Sequence, residues 1–124
     1  MRLILQQTLK NVVMNTTAIG RQGEQLAADW LFQQGFAVLE RNWKTRWCEI
    51  DIIASKDNVI YFVEVKYRAT DSYGDGFAYI TAKKQGQMAF AARAWMHMHH
   101  YPGDAQLAVM SITGVPSSIE FVEV

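Results

Sequence analysis

The chain has 124 residues, half of them hydrophobic, with 12 basic and 12 acidic side chains and one cysteine, Cys48. One domain with a self-sufficient core fits that length, a disulfide within the chain is excluded, and the histidines His97, His99 and His100 give no zinc spacing with Cys48, so a reduced, cytoplasmic setting is expected. The balanced charge excludes a basic field over the whole molecule as a route to a nucleic-acid partner.

In residues 1–19 the apolar runs are broken by Gln6, Gln7 and Lys10 and are too short for a signal core or a membrane span. They read as a soluble extension, with a loosely ordered arm and a start at Met14 as open alternatives, ahead of a single domain over residues 20–124. Over residues 19–34, Leu26, Ala27, Trp30 and Leu31 recur at helical spacing, and Gly35 supplies a stop. Residues 36–41, 48–54 and 58–67 read as three strands, and Ser55, Lys56, Asp57 and Asn58 close a hairpin between the second and third, giving an antiparallel meander.

Residues 68–80 carry Asp71, Gly74, Asp75 and Gly76 without a clear period and form a long connection beside the end of the third strand. A second helix is predicted over residues 81–99, with Ala82, Gln85, Met88, Ala89, Ala92 and Met96 facing inward and Pro102 and Gly103 ending it. Residues 106–113 and 118–124 complete the chain as strands. A strand, a helix and a further strand in succession imply a right-handed crossover with parallel pairing, and hence an α/β protein with an αβββαβ core and one additional strand.

The chemistry concentrates in Cys48-Glu49-Ile50-Asp51 and, thirteen residues after that aspartate, Glu64-Val65-Lys66. Alternation along a strand puts Glu49 with Asp51 on one face and Glu64 with Lys66 on one face, and the hairpin brings the two together. Two carboxylates about 4 Å apart repel by roughly 4 kcal/mol at an effective dielectric of about 20, so such a cluster either raises a carboxyl pKa or recruits a cation. Asp51 and Glu64 are therefore candidate ligands for Mg²⁺ or Mn²⁺, with the Val65 carbonyl as a further oxygen donor. Lys66 would position or help deprotonate an attacking water, or stabilise a pentacovalent phosphorus centre. The same residues also fit an ordinary cross-strand ion pair on a charged sheet face.

The segments GRQGEQLAADWLFQQGFAVLERNWKTRWCEIDIIA, VIYFVEVKYR and AKKQGQMAFAARAWM together resemble the bacterial YraN family, from about Gly20 to the end of the chain. That family is assigned to the PD-(D/E)XK nuclease superfamily and is similar in core to archaeal Holliday-junction resolvases. The resemblance implies a restriction-endonuclease-like core, a mixed central sheet flanked by helices, and a metal-dependent endonuclease acting on DNA phosphodiesters, with branched or flapped DNA as the implied substrate. By motif position Glu24 resembles the acid of the first helix, Asp51 the superfamily aspartate, and Glu64 and Lys66 the E-x-K pair. Gln85 resembles the polar position of the second helix, and Glu49 is an auxiliary candidate. Two positions depart from the pattern: Trp47-Cys48 stands where an aromatic residue and glycine are usual, and Phe77 where glutamate is common.

All 12 basic residues lie within the first 100 positions beside 9 acidic ones, whereas Asp104, Glu120 and Glu123 follow with no base. Arg41, Lys44, Arg46, Arg68, Lys83 and Lys84 flank the proposed site as candidate phosphate contacts, and Trp43, Trp47, Tyr67 and Tyr73 as stacking residues for unpaired bases. A non-catalytic DNA-binding scaffold of the same fold, or a dimeric protein-interaction module, fits the same surface. Junction-cutting relatives work as two-fold dimers, which leaves a homodimer open.

Overall fold

Six strands form one mixed sheet in a computed structural model that describes residues 2–9, 19–68, 77, 80–114 and 117–124, with backbone alone for 2–9, 19–22 and 117. In chain order the elements are β1 (Arg2–Leu9), α1 (Ile19–Gln33), β2 (Ala37–Lys44), β3 (Glu49–Lys56), β4 (Val59–Arg68), α2 (Ala82–Met98), β5 (Asp104–Thr113) and β6 (Ser117–Glu123). The strand order is β1-β6-β5-β4-β3-β2. The β2-β3-β4 meander is antiparallel and β4 pairs with β5 in parallel, as the sequence pattern implies. Among the described residues no helix is long and apolar enough to cross a membrane.

One strand is not among the predicted elements. Within the N-terminal extension, Arg2–Leu9 pairs antiparallel with β6 from Arg2↔Glu123 to Leu9↔Ser117 and becomes an edge strand. That partner lies at the far end of the chain, so no local pattern announces the pairing. The rest of the connection to α1 lies outside the described residues, as does most of the 68–80 connection.

Helix α1 covers one face of the sheet. Ala27, Trp30 and Leu31 are buried there with Phe36, Ile52, Ala54, Val63, Met110, Ile112 and Phe121, as the helical spacing predicts. A Cβ at Gly23 would sit 3.4 Å from the Tyr67 side chain, so glycine lets this helix lie close on β4. The chain then turns at Gly35, whose φ of 91° is disfavoured for any residue with a side chain.

Helix α2 covers the opposite face and is capped by Thr81, whose side chain accepts a hydrogen bond from the Lys84 amide. Its buried residues are Met88, Ala91, Ala92 and Trp95, a stripe rotated from the expected one. The cause is Trp95: its ring packs edge-on against Phe62, stacks on His99 and donates through Nε1 to Glu40. Burying that large ring outweighs burying Ala82, Gln85 and Ala89. Phe77 is also buried, with Met88, Val109 and Val122, so the residue that departs from the family pattern is a core side chain here.

Candidate metal and nucleic-acid site

The two ends of the β3-β4 pair are built differently. At one end Asp57 and Asn58 adopt φ of 52° and 64°, the left-handed conformations of a two-residue hairpin, and the ladder runs unbroken from Lys56↔Val59 to Ile52↔Val63. At the other end the pairing stops, and the Val65 amide donates instead to Asp51 Oδ2 at 2.8 Å. The carboxylate replaces a backbone acceptor at the point where the strands part. Face alternation slips there too, since Ile50 and Ile53 both join the α2-side cluster while Ile52 packs toward α1.

Asp51 is the hub of the site. Burial raises its pKa from the ordinary 3.8 to about 6, opposed by the Val65 hydrogen bond and reinforced by the negative charges of Glu64, Glu49 and Glu24. Those three acids reach it from β4, β3 and α1. Glu24 is half-buried and accepts from the Asn42 amide group at 3.2 Å. Glu64 is half-buried and pairs with Lys84 Nζ at 3.0 Å, whereas Glu49 is exposed and lies 3.7 Å from Lys44 Nζ. Lys66 is exposed on the α2-side face two residues beyond Glu64.

The donor chemistry suits a hard divalent cation. Among the described residues no three His, Cys, Asp or Glu side chains are grouped so that together they could hold a metal ion. Asp51 and Glu64 with the Val65 carbonyl are the oxygen donors that would hold such a cation, since Mg²⁺ is ordinarily bound through one or two carboxylates and keeps several waters. A cation there would offset both the burial and the like-charge repulsion that raise the Asp51 pKa, in competition with Lys84 for Glu64.

A groove of about 540 Å³ opens beside Glu64, lined by Glu49, Lys83 and Lys84 together with Trp47, Gln87 and Phe90. Gln87, not Gln85, lines this groove; Gln85 is half-buried, and its backbone N–H donates to the Thr81 carbonyl. The basic residues are dispersed: Arg41 donates to Gln25, Arg46 lies against the Trp47 ring, and Arg68 is half-buried at the end of β4. Of the candidate stacking residues, Trp43 and Tyr67 pack against the two core clusters, Trp47 is exposed, and Tyr73 lies outside the described residues.

Three positions escape the sequence pattern. Gly86 and Phe90 line the groove but sit within an unremarkable helical run. Ser111 is 1% exposed, aligns with Lys66 in the β4-β5 register, and has no hydrogen-bond partner for its hydroxyl among the described residues. A serine inside an apolar strand is the only signal that marks it.

This mixed sheet with a helix on each face is an α/β architecture of the restriction-endonuclease-like kind. Residues 23–124 match the uncharacterised protein family UPF0102, and the chain belongs to that family, the YraN family of the motif resemblance. A UPF0102 protein of Prosthecochloris aestuarii is 42% identical over 95 residues, covering 76% of this chain and 75% of the relative. One of Clostridium perfringens is 43% identical over 81 residues, covering 65% of this chain and 66% of the relative. One of Cytophaga hutchinsonii is 34% identical over 105 residues, covering 85% and 93% respectively.

Proposed function

We propose that this protein is a Mg²⁺- or Mn²⁺-dependent nuclease that hydrolyses DNA phosphodiester bonds. The observation that carries the reading is Asp51, a half-buried carboxylate at the parting of β3 and β4 that takes the Val65 amide and feels the negative charges of Glu64, Glu49 and Glu24, beside the strand that carries the E-x-K pair Glu64 and Lys66. Holding Asp51 half-buried among like charges costs stability, the pattern expected where a carboxylate is kept for use.

Asp51, Glu64 and the Val65 carbonyl would hold the cation. When bound, it supplies polarisation of the phosphate and a water of lowered pKa. Glu24 and Glu49 keep the surroundings of Asp51 negative and strengthen its hold on a cation. The Lys66 ammonium faces the attacking water and the non-bridging phosphate oxygens, orienting the first and stabilising charge on the second. Lys84 exchanges Glu64 for a substrate phosphate. Arg41, Lys44, Arg46, Arg68 and Lys83 contribute backbone contacts, which carry affinity and salt dependence but no sequence preference.

The test is incubation of the purified protein with linear, flapped and four-way DNAs, with and without Mn²⁺, beside Asp51→Asn and Lys66→Ala. Metal-dependent cleavage lost in both variants is expected. Equal nicking by all three proteins would contradict the reading. Salt-sensitive binding without cleavage would favour a DNA-binding scaffold, and no binding to nucleic acid an interaction module.

A further inference from the structure

The groove beside Glu64 has features that metal chemistry does not use. Trp47 and Phe90 line it while remaining 77% and 50% exposed. Trp30 and Trp95, by contrast, are buried. The turn beneath Trp47 is firmly tied: the Thr45 amide donates to the Cys48 carbonyl at 2.8 Å, and Thr45 Oγ1 accepts from the Trp47 and Cys48 amides at 3.1 and 3.2 Å. The ring is thus presented on a fixed backbone. The Arg46 guanidinium lies over the ring, 5.7 Å from its centroid, which puts a cation at one face of a side chain that stays largely exposed.

Across α2, Lys83, Gly86, Gln87 and Phe90 fall at i, i+3, i+4 and i+7, one helix face, and all four line the groove. A Cβ at Gly86 would meet nothing within 4 Å, so internal packing does not call for glycine there. The helix leaves that part of the groove open. Aromatic faces, an amide that pairs in both directions, and flanking cations together match a nucleobase with its phosphate. A duplex keeps its base faces stacked inside; only an unpaired nucleotide offers one to a side chain.

We propose that this groove stacks an unpaired nucleotide of DNA against Trp47 and Phe90, with Arg46 and Lys83 on its phosphates. The substrate is then DNA with single-stranded nucleotides next to the cleaved bond, such as a flap or a gap, rather than continuous duplex. This rests on the nuclease reading, because the groove and the acidic site share Glu64 and Glu49.

Stacking can be read without metal, and so without hydrolysis. The full chain in EDTA is titrated into labelled oligodeoxythymidine and into a blunt duplex, with fluorescence anisotropy as the readout. Trp47→Ala should weaken single-strand binding about five- to hundred-fold and leave duplex binding unchanged, while Trp47→Phe retains most of the affinity. Single-stranded DNA should also shield wild-type tryptophan fluorescence from iodide, an effect that Trp47→Ala removes. Single-strand affinity equal in wild type and Trp47→Ala would overturn the proposal. So would self-association that shields Trp47 without DNA and disappears in Trp47→Ala, which would make a second copy the occupant. Mn²⁺-dependent cleavage with binding indifferent to Trp47 would sink the groove alone, and Trp47-dependent binding without cleavage would sink the nuclease reading alone.

Discussion

The β3-β4 pair holds a closed turn at one end and a half-buried carboxylate at the other within one hairpin. At the Asp57-Asn58 turn every residue serves local structure: the ladder is complete, and left-handed residues supply the twist. At the Asp51-Val65 end the ladder is given up, and a carboxylate accepts the amide proton that a backbone carbonyl would otherwise take. Parting the strands there exposes the faces of Glu64 and Lys66 and gathers negative charge that costs stability. The contrast teaches that substitutions at the two ends should act on different quantities.

The largest expected effect falls on turnover. Asp51→Asn or Lys66→Ala should lower Mn²⁺-dependent cleavage by about two to three orders of magnitude, the scale on which preorganised electrostatic groups act. Asn58→Val should leave the turnover of folded protein unchanged. A cleavage assay at matched folded fractions checks both.

Next comes the pH dependence of metal-free stability. Asp51 has a folded pKa of about 6 against an ordinary 3.8, so between these values the folded chain binds more protons than the unfolded one. Stability should therefore fall as pH rises from about 4 through 6 and level off above, by about 2 kcal/mol after allowance for partial exposure. Asp51→Asn should remove this slope and be neutral or stabilising at pH 7.5. Denaturant midpoints measured across that range decide the sign.

At the turn end the expected change is smaller and opposite in direction. Asn58 has φ of 64°, and Asn58→Val should cost about 1–2 kcal/mol because a β-branched residue tolerates that conformation poorly. Smallest is Gly86→Ala, whose new Cβ meets no atom within 4 Å. It should stabilise α2 by about 0.5–1 kcal/mol, seen as a raised Tm.

Much of this was legible in the sequence wherever the signal is local. Leu26, Ala27, Trp30 and Leu31 announce α1, the β-branched runs announce the meander, and Asp57-Asn58 announces its turn. Glu49, Asp51, Glu64 and Lys66 stand out as charges inside apolar strands, which is why the site can be suspected before the fold is seen. What was not legible depends on long-range register: the pairing of Arg2–Leu9 with β6, the Asp51 bond to the Val65 amide, and the Lys84 pairing with Glu64. In α2 the alanine spacing points to a stripe through Ala82, Gln85 and Ala89, and the larger Trp95 ring turns the buried face toward Ala91 and Trp95 instead. Trp47 and Phe90 come from different elements, and only the folded sheet puts them on one groove.

The central claim is that Asp51 belongs to a cation site, and thermal unfolding with added Mn²⁺ tests it most directly. At ten times its dissociation constant, a cation bound to the native cluster stabilises by about 1.4 kcal/mol, roughly 4–7 °C in Tm for a chain of this size. The account predicts that rise for wild type and little or none for Asp51→Asn. An equal rise in both, or no rise in either, would contradict it.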